Sequence, residues 1–368
     1  MSKRSSPSSS SNSTNIVKKQ KEDHGTKKHI ILPTRKLGKT GNEIPILGFP
    51  GAGLAVYKPS QQQEVNDLVQ KAVENGATYY DMAPSYGKAM YRLGPALKPY
   101  RPKCFLACKT AMRDKEGVFR ELEESLKALE TNYFDLYQMH AMTTEDDFNQ
   151  VMAPNGALEA FKEAKRKGLI KHIGFSAHDE TIAVKLIETG EFETVMFPLN
   201  FLSFNIAGVG KRLIEAAAKH DVGIIAIKSL ARARLPPADD NAPNPFANSN
   251  SRRKREFPIK FHKKWVTWYQ PEDDMEKAEQ LWRFTQSLPN LVSAISPGNM
   301  TIFFEYALKF AQKGDLGVTN PLVIDSEEGQ QLFEYYNKLN LTPIFHEYDR
   351  SGKFVTTAQN KTPSSPSL

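Results

Sequence analysis

The chain has 368 residues, of which 40% are hydrophobic and 25% are charged, enough to bury one large core or two smaller ones. No apolar run approaches the roughly 18 residues that cross a bilayer, and the first residues contain no hydrophobic stretch that could act as a secretory signal. These features predict a cytoplasmic protein with no membrane partner, although the basic, serine-rich start is also compatible with an organelle transit peptide.

The formal net charge of +7 is concentrated in two segments. Residues 1–30 carry seven Lys and Arg against two acids, and residues 252–264 carry seven against one, so the rest of the chain is slightly acidic. A nucleic-acid-binding domain instead carries its basic residues on a folded surface. We therefore predict no nucleic-acid partner.

The two cysteines, Cys104 and Cys108, lie on one predicted strand. Four residues at about 3.3 Å each separate them by roughly 13 Å, whereas a disulfide requires Cα atoms within about 7 Å. They are predicted to be reduced thiols. Two cysteines without suitably spaced histidines cannot hold zinc or an iron–sulfur cluster, so the sequence predicts neither.

Short apolar runs rich in β-branched and aromatic residues alternate with polar–apolar stretches. The eight runs are predicted strands at residues 44–50, 77–83, 104–110, 134–140, 171–177, 194–200, 223–230 and 291–298. Between them, apolar residues recur every three or four positions in stretches at 62–76, 117–130, 156–168, 181–190 and 211–220, which predicts amphipathic helices. Eight strand–helix units with apolar strands predict an α/β fold, the parallel (β/α)8 TIM barrel.

The barrel is predicted to occupy residues 34–351. Residues 1–33 and 352–368 are polar and low in complexity, so they are predicted to be disordered tails. A long insertion, residues 232–272 approximately, separates the seventh and eighth strands and is too long for a simple connector. A lid over the barrel mouth and a disordered insertion are both open interpretations of it.

The segment DMAPSYG, residues 81–87, places polar groups just after the second strand. Functional residues of a TIM barrel collect at the carboxyl ends of its strands. Asp81 and Tyr86 follow the second strand, Lys109 closes the third and His140 closes the fourth. Each alone could be structural, as a capping acid, a packing tyrosine, an ion-paired lysine or a hydrogen-bonded histidine. Four such residues on three consecutive strand ends favour a catalytic site.

The segments GATYYDMAPSYG, FLACKT and DLYQMH resemble those of the aldo-keto reductase superfamily, and the resemblance runs from residue 35 to the eighth strand. Asp81, Tyr86, Lys109 and His140 match that family's Asp-Tyr-Lys-His tetrad in order and spacing. KHIGFSAHD, ETGEFETVMFP and GIIAIKSLARARL most resemble a branch in which some members carry a C-terminal ferredoxin-like domain. This chain lacks the cysteines for one.

The resemblance implies an NAD(P)H-dependent oxidoreductase that reduces an aldehyde or ketone to an alcohol, or catalyses the reverse. The hydride must come from a nicotinamide cofactor, because no side chain can deliver one. Tyr86 would donate the proton. The Lys109 cation would lower the pKa of the Tyr86 hydroxyl from its ordinary value of about 10. Asp81 would keep Lys109 charged and in place, and His140 would orient the carbonyl oxygen.

The resemblance also implies a set of cofactor contacts. Ser176 would contact the carboxamide, Ser229 and Leu230 would wrap the pyrophosphate, and Arg232 and Arg234 are candidate phosphate contacts. Ser296, Gly298 and Asn299 align with the loop that binds the adenosine phosphate. Ala177 and Met196 depart from the asparagine and glutamine that are usual in the family.

The cofactor is predicted to be NADP(H) or NAD(H), with a modest preference for NADPH. Recognition of the 2′-phosphate needs a positive group, which in this family commonly comes from just beyond the eighth strand. Residues 296–306, SPGNMTIFFEY, contain no lysine or arginine.

Two other functions remain open at this stage. A cofactor-binding barrel without significant turnover would serve as a regulatory or interaction protein. An aldolase would use Lys109 as a Schiff-base nucleophile, although it would not need the accompanying tyrosine, aspartate and histidine.

Overall fold

The structure is a computed structural model, and it describes residues 32–234, 269–295, 304–339 and 341. Its strands are β1 (Thr34–Lys36), β2 (Glu43–Pro45), β3 (Leu47–Pro50), β4 (Tyr79–Asp81), β5 (Phe105–Thr110), β6 (Phe134–Met142), β7 (Ile170–Ala177), β8 (Thr194–Pro198), β9 (Gly223–Ile227), β10 (Ala231–Arg234), β11 (Tyr269–Pro271) and β12 (Leu291–Ile295).

Helices separate most of these strands. They are α1 (Gln62–Glu74), α2 (Ala89–Leu97), α3 (Lys115–Ala128), α4 (Glu145–Met152), α5 (Ala157–Arg166), α6 (Glu180–Glu188), α7 (Phe201–Asn205), α8 (Lys211–Lys219), α9 (Met275–Gln286), α10 (Glu305–Gln312), α11 (Leu316–Thr319) and α12 (Glu327–Lys338).

Strands β3 to β9 and β12 form a closed parallel barrel in chain order, with β12 pairing with both β9 and β3. The predicted (β/α)8 TIM barrel is therefore confirmed, and each of the eight predicted runs supplies one barrel strand. The five predicted amphipathic helices correspond to α1, α3, α5, α6 and α8. The first run is divided, because residues 43–45 pair with β1 in a hairpin and only Leu47–Pro50 enters the barrel.

Four of the helices begin directly after a residue whose side chain caps the helix N-terminus. Asp114, Asp179, Asp274 and Ser326 each precede a helix and accept a hydrogen bond from the backbone N–H three residues later. Such caps satisfy backbone donors that have no intrahelical partner. They define where the outer helices α3, α6, α9 and α12 begin.

The barrel interior is apolar toward the amino ends of its strands. One cluster of buried residues joins the hairpin to inward-facing strand positions and comprises Leu37, Ile44, Tyr79, Ala107, Leu136, Met196, Ile225, Val292 and Ile295. Because side chains alternate along a strand, the next inward positions on β4, β5 and β6 are residues 81, 109 and 138. The interior thus changes from apolar to polar toward the carboxyl ends of these strands.

A polar network attaches the hairpin to the barrel. The Asn42 amide lies 2.7 Å from His172 Nε2, and His172 Nδ1 lies 2.8 Å from Glu193 Oε1. Glu193 Oε2 accepts hydrogen bonds from Lys165 Nζ and the Ile173 N–H. Burial raises the pKa of Glu193, but the hydrogen bonds from His172 and Lys165 outweigh it and lower the pKa to about 2.

Replacing Glu193 by Gln should lower the free energy of unfolding at pH 7 by on the order of 2–3 kcal/mol, the scale of a carboxyl pKa depressed by about two units. A depressed folded-state pKa stabilises the protein above the ordinary value of 4.5, and this stability is lost as the pH falls toward 2. Urea unfolding of wild type and Glu193→Gln at pH 7, 5 and 3 tests this. Glu191→Gln, at a more exposed ion pair with Lys162, is the control. A pH-independent Glu193→Gln deficit would contradict the prediction.

The ends of the predicted insertion pair with each other. Strands β10 and β11 form an antiparallel two-stranded sheet, with Arg234 opposite Tyr269. Residues 235–268 lie outside the described residues, as do most of the two predicted tails. The choice between a lid and a disordered insertion is therefore untested.

The described residues include no helix that is long and apolar enough to cross a membrane. Within the same ranges, no group of three or more His, Cys, Asp or Glu side chains is arranged to hold a metal ion. Cys104 and Cys108 are both free and buried, and burial raises the pKa of each thiol to about 12.

Candidate active site

Three neighbouring strands carry the predicted site residues at the carboxyl end of the barrel. Asp81 is the last residue of β4, Lys109 lies near the end of β5, and His140 lies near the end of β6. Parallel pairing places Asp81 beside Ala107 and Lys109 beside Gln138. This register brings the polar side chains of the three strands to one level of the barrel interior.

The Lys109 ammonium has an acceptor for each of its three hydrogens. It donates to Asp81 Oδ2, to Tyr86 Oη at 3.1 Å and to the Met82 carbonyl at 3.2 Å. The residue is 1% exposed. Burial alone lowers its pKa, but the Asp81 charge and the Tyr86 hydroxyl outweigh this and raise the pKa above its usual range. Lys109 is therefore held as a cation.

Tyr86 is placed by a tight turn after β4. Its backbone N–H donates to the Ala83 carbonyl at 3.0 Å, and Gly87 adopts a left-handed φ of 60° that favours glycine. The hydroxyl accepts from Lys109 and lies 3.5 Å from Asp81 Oδ2. Burial raises the pKa of Tyr86 more than Lys109 lowers it, so the net direction is upward. The effect of Lys109 can be predicted from the sequence, whereas the larger effect of burial cannot.

Asp81 is 3% exposed and has a second partner that the sequence analysis missed. Gln138 Nε2 lies 3.3 Å from Asp81 Oδ1. Burial raises the pKa of Asp81, while Lys109 and Gln138 oppose that rise. The only sequence signal for Gln138 is its position two residues before His140, on the same face of the strand.

The His140 ring lies against Tyr86. The two ring centroids are 6.1 Å apart with an interplanar angle of 89°. Ser85 Oγ lies 3.4 Å from His140 Nδ1. The structure thus brings Asp81, Tyr86, Lys109 and His140 together, as the sequence analysis predicted.

The predicted cofactor residues that the structure describes lie farther around the barrel mouth. Ser176 is buried at the end of β7, and its Oγ accepts from the Ala141 N–H at 2.7 Å. Ser229 and Leu230 are buried after β9, with Ser229 Oγ 3.5 Å from the Ile295 carbonyl. Ser296, Gly298 and Asn299 lie outside the described residues.

Arg232 faces a buried acid. Its Nη1 lies 3.8 Å from Glu272 Oε1, and Glu272 Oε2 accepts from the Tyr336 hydroxyl at 2.6 Å. Glu272 is 1% exposed, so the Arg232 charge has a countercharge inside the protein. Glu272 is 40 positions away in sequence, and no local pattern links the two residues.

Lys228 is a further cation at the mouth that the sequence analysis did not select. It follows β9 directly with a left-handed φ of 60°, and its Nζ lies 3.1 Å from His178 Nε2. An unusual backbone angle at a strand end is a structural signal, not one visible in sequence.

The mouth also has buried donors suited to a polar cofactor. Among the described residues, Asn200 Nδ2 and Arg232 Nε are buried without a hydrogen-bond partner. Asn200 follows β8, and its Oδ1 already accepts from the Ser203 N–H. Each of these donors, like the Ser176 hydroxyl, is able to hydrogen-bond to an amide or phosphate oxygen of a polar ligand.

The fold and this site define a (β/α)8-barrel protein with an acid–base cluster at the carboxyl ends of its strands. Residues 47–347 match the sequence model of the aldo/keto reductase family. The chain therefore belongs to that family, which confirms the resemblance seen in the sequence.

Individual relatives are distant. The chain is 24% identical over 215 residues to the uncharacterized oxidoreductase YqkF of Bacillus subtilis, covering 55% of this chain and 66% of that protein, just under two thirds of its length. It is 26% identical over 242 residues to the aldo-keto reductase yakc [NADP(+)] of Schizosaccharomyces pombe, covering 61% and 68% of the two chains. The crystal structure of an aldo-keto reductase from Klebsiella pneumoniae in complex with NADPH superposes with a TM-score of 0.58 at 19% identity, covering 83% and 95%.

Proposed function

We propose that this protein is an NAD(P)H-dependent oxidoreductase that reduces an aldehyde or a ketone to an alcohol, or catalyses the reverse reaction. The observation that carries the proposal is the hydrogen bond from a buried, charged Lys109 to the Tyr86 hydroxyl. A phenol beside a fixed cation can lose its proton and regain it, as reversible carbonyl reduction requires. The family name of the matching relatives and the NADPH bound by one structural neighbour agree with it.

We propose a role for each residue of the tetrad, supported by this geometry. Negative charge develops on the carbonyl oxygen as it is reduced, and positioned donors stabilise that charge. Tyr86 donates the proton to this oxygen, and Lys109 stabilises the resulting phenolate. Asp81 holds the ammonium in place, and His140 donates a hydrogen bond that orients the carbonyl.

The cofactor residues are proposed on the same basis. A bound nicotinamide cofactor would supply the hydride. Ser176, Ser229 and Leu230 are proposed to hold it, together with the loop of Ser296, Gly298 and Asn299. Arg232 is also proposed as a phosphate contact. Its attraction for a phosphate is reduced, because the Glu272 carboxylate already counters its charge.

An aldolase function has less support. A Schiff-base lysine must present an unprotonated amine, and enzymes achieve this by lowering its pKa. In this protein the Asp81 charge raises the Lys109 pKa. Borohydride trapping of a carbonyl substrate on Lys109 would revive that alternative.

Turnover of short aldehydes and ketones should be measurable with both reduced cofactors, followed by loss of nicotinamide absorbance. We expect kcat/KM with NADPH to exceed that with NADH by about tenfold or less, because residues 296–306 contain no lysine or arginine for a charge-assisted contact to the 2′-phosphate, a contact worth about 1.5–3 kcal/mol. Titration of each cofactor by tryptophan fluorescence checks binding separately.

The two measurements separate the remaining outcomes. Cofactor binding without turnover across the panel would favour a regulatory barrel over a reductase. A preference for NADPH of a hundredfold or more would show that a basic group outside residues 296–306 reaches the 2′-phosphate.

A further inference from the structure

His140 lies on an irregular part of β6. The pairing of β6 with β7 shifts register between Met139 and Met142, and Ala141 has a left-handed φ of 55°. A non-glycine residue in this conformation is strained and persists only when surrounding contacts hold it. The position of the His140 side chain therefore depends on what holds this bulge.

Two hydrogen bonds hold the bulge from opposite sides. Arg113 Nη2 donates to the His140 carbonyl at 2.8 Å, and the Ala141 N–H donates to Ser176 Oγ at 2.7 Å. Arg113 lies in the loop after β5, the strand that carries Lys109. It therefore ties the loop of one catalytic strand to the end of the next.

The Arg113 guanidinium is itself fixed. Its Nε donates to Asp147 Oδ1 at 2.8 Å, its Nη1 donates to the Ala111 carbonyl at 3.2 Å, and the residue is 8% exposed. Asp147 in turn closes the capping box of α4 with Thr144. Buried, charge-assisted hydrogen bonds of this kind are short and specific in geometry.

We propose that Arg113 is a positioning residue for His140 and acts through the His140 carbonyl. By fixing the bulge, it sets the distance between the imidazole and Ser85, whose Oγ lies 3.4 Å from Nδ1. Donation from Ser85 to Nδ1 leaves the proton on Nε2, where it can be donated to a carbonyl substrate. The inference rests on the proposed function and adds residues that the tetrad does not include.

Kinetics test the inference through a double-mutant cycle. Arg113→Met should lower kcat/KM for the carbonyl substrate by about tenfold to a hundredfold, the scale of a displaced catalytic group, with the cofactor Kd unchanged. In a His140→Ala background the same substitution should have little further effect, because its target is gone. Equal losses in both backgrounds would overturn the proposal.

Arg101→Met is the matched control, because Arg101 bridges the other ends of β5 and β6 through the Cys104 and Tyr133 carbonyls. It should lower the melting temperature and leave kcat/KM unchanged. If Arg113→Met does not fold, Asp147→Asn retains a capping side chain and loosens the guanidinium, and it should give a smaller loss that also disappears in the His140→Ala background.

A spectroscopic measurement is independent of turnover. In protein labelled with 15N-histidine, the ring nitrogen shifts of His140, assigned by comparison with His140→Ala, should change in Arg113→Met and stay constant in Arg101→Met. Unchanged shifts in Arg113→Met would overturn the inference. A wild type without turnover whose His140 shifts still respond to Arg113→Met would instead overturn the proposed function and leave the positioning role supported.

Discussion

Tyr86→Phe should lower turnover by about a hundredfold or more, the scale of a lost general acid. The substitution removes the hydroxyl that Lys109 contacts at 3.1 Å and keeps the aromatic ring against His140. Because the ring and the turn after β4 are preserved, cofactor affinity should stay nearly constant. Steady-state kinetics with a responsive aldehyde and fluorescence titration of the cofactor measure the two quantities.

The pH dependence gives a second readout for the same residue. Burial raises the pKa of Tyr86 above its ordinary value of 10.0, so the proton donor stays protonated at neutral pH. The rate of carbonyl reduction should therefore not fall through deprotonation of Tyr86 between neutral pH and pH 10.0. A loss of activity centred near neutral pH that Tyr86→Phe retains would assign the titration to another group, and one that Tyr86→Phe abolishes would contradict the raised pKa of Tyr86.

Tyr91→Phe is the matched control. Tyr91 lies in α2 with 51% of its surface exposed, and the Lys88 ammonium lies 4.9 Å from its ring centroid. Its hydroxyl has no role in the proposed reaction, so the control should retain wild-type turnover. Wild-type turnover in Tyr86→Phe as well would refute the assignment of Tyr86.

The barrel and the tetrad could be predicted because both are written in local sequence patterns. Apolar runs separated by periodic helices identify strand–helix units, and closure of eight such units brings consecutive strand ends to one mouth. Asp81, Lys109 and His140 each stand at the end of such a run. Their proximity therefore follows from topology before any contact is known.

Other features depend on contacts between distant segments. Arg113 reaches the His140 carbonyl only because β5 and β6 are neighbours, and Glu272 meets Arg232 only because β10 and β11 pair. The upward shift of the Tyr86 pKa is likewise a property of the packed site, since burial outweighs the adjacent charge. Spacing along the chain carries no information about burial at a strand mouth.

Breaking the Asp81–Lys109 pair should destabilise the protein more than loss of the Glu193 carboxylate. Both side chains are almost fully buried, at 3% and 1% exposure. Asp81→Asn leaves a buried ammonium without its countercharge, and removal of one partner from a buried ion pair costs about 3–5 kcal/mol. Urea unfolding of the variant should show a loss of this size together with a loss of turnover.

Lys109→Met should lower the free energy of unfolding by an amount that depends on pH. Asp81 then lacks its cation, and burial keeps its folded-state pKa raised. A raised carboxyl pKa means that the folded state binds the proton more tightly, so stability is greatest at low pH and falls as the pH rises through that pKa. The deficit relative to wild type should therefore be smaller at pH 5 than at pH 8.

The double variant Asp81→Asn/Lys109→Met separates the structural role of the pair from its catalytic role. Neither buried charge remains, so most of the stability lost in the single variants should return. Turnover should stay low, because Tyr86 no longer has a neighbouring cation to stabilise its phenolate. Arg283→Met, which removes a half-buried ion pair with Glu328 between α9 and α12, should lower the free energy of unfolding and leave turnover unchanged. Recovery of both stability and turnover in the double variant would show that the pair serves the fold and not the reaction.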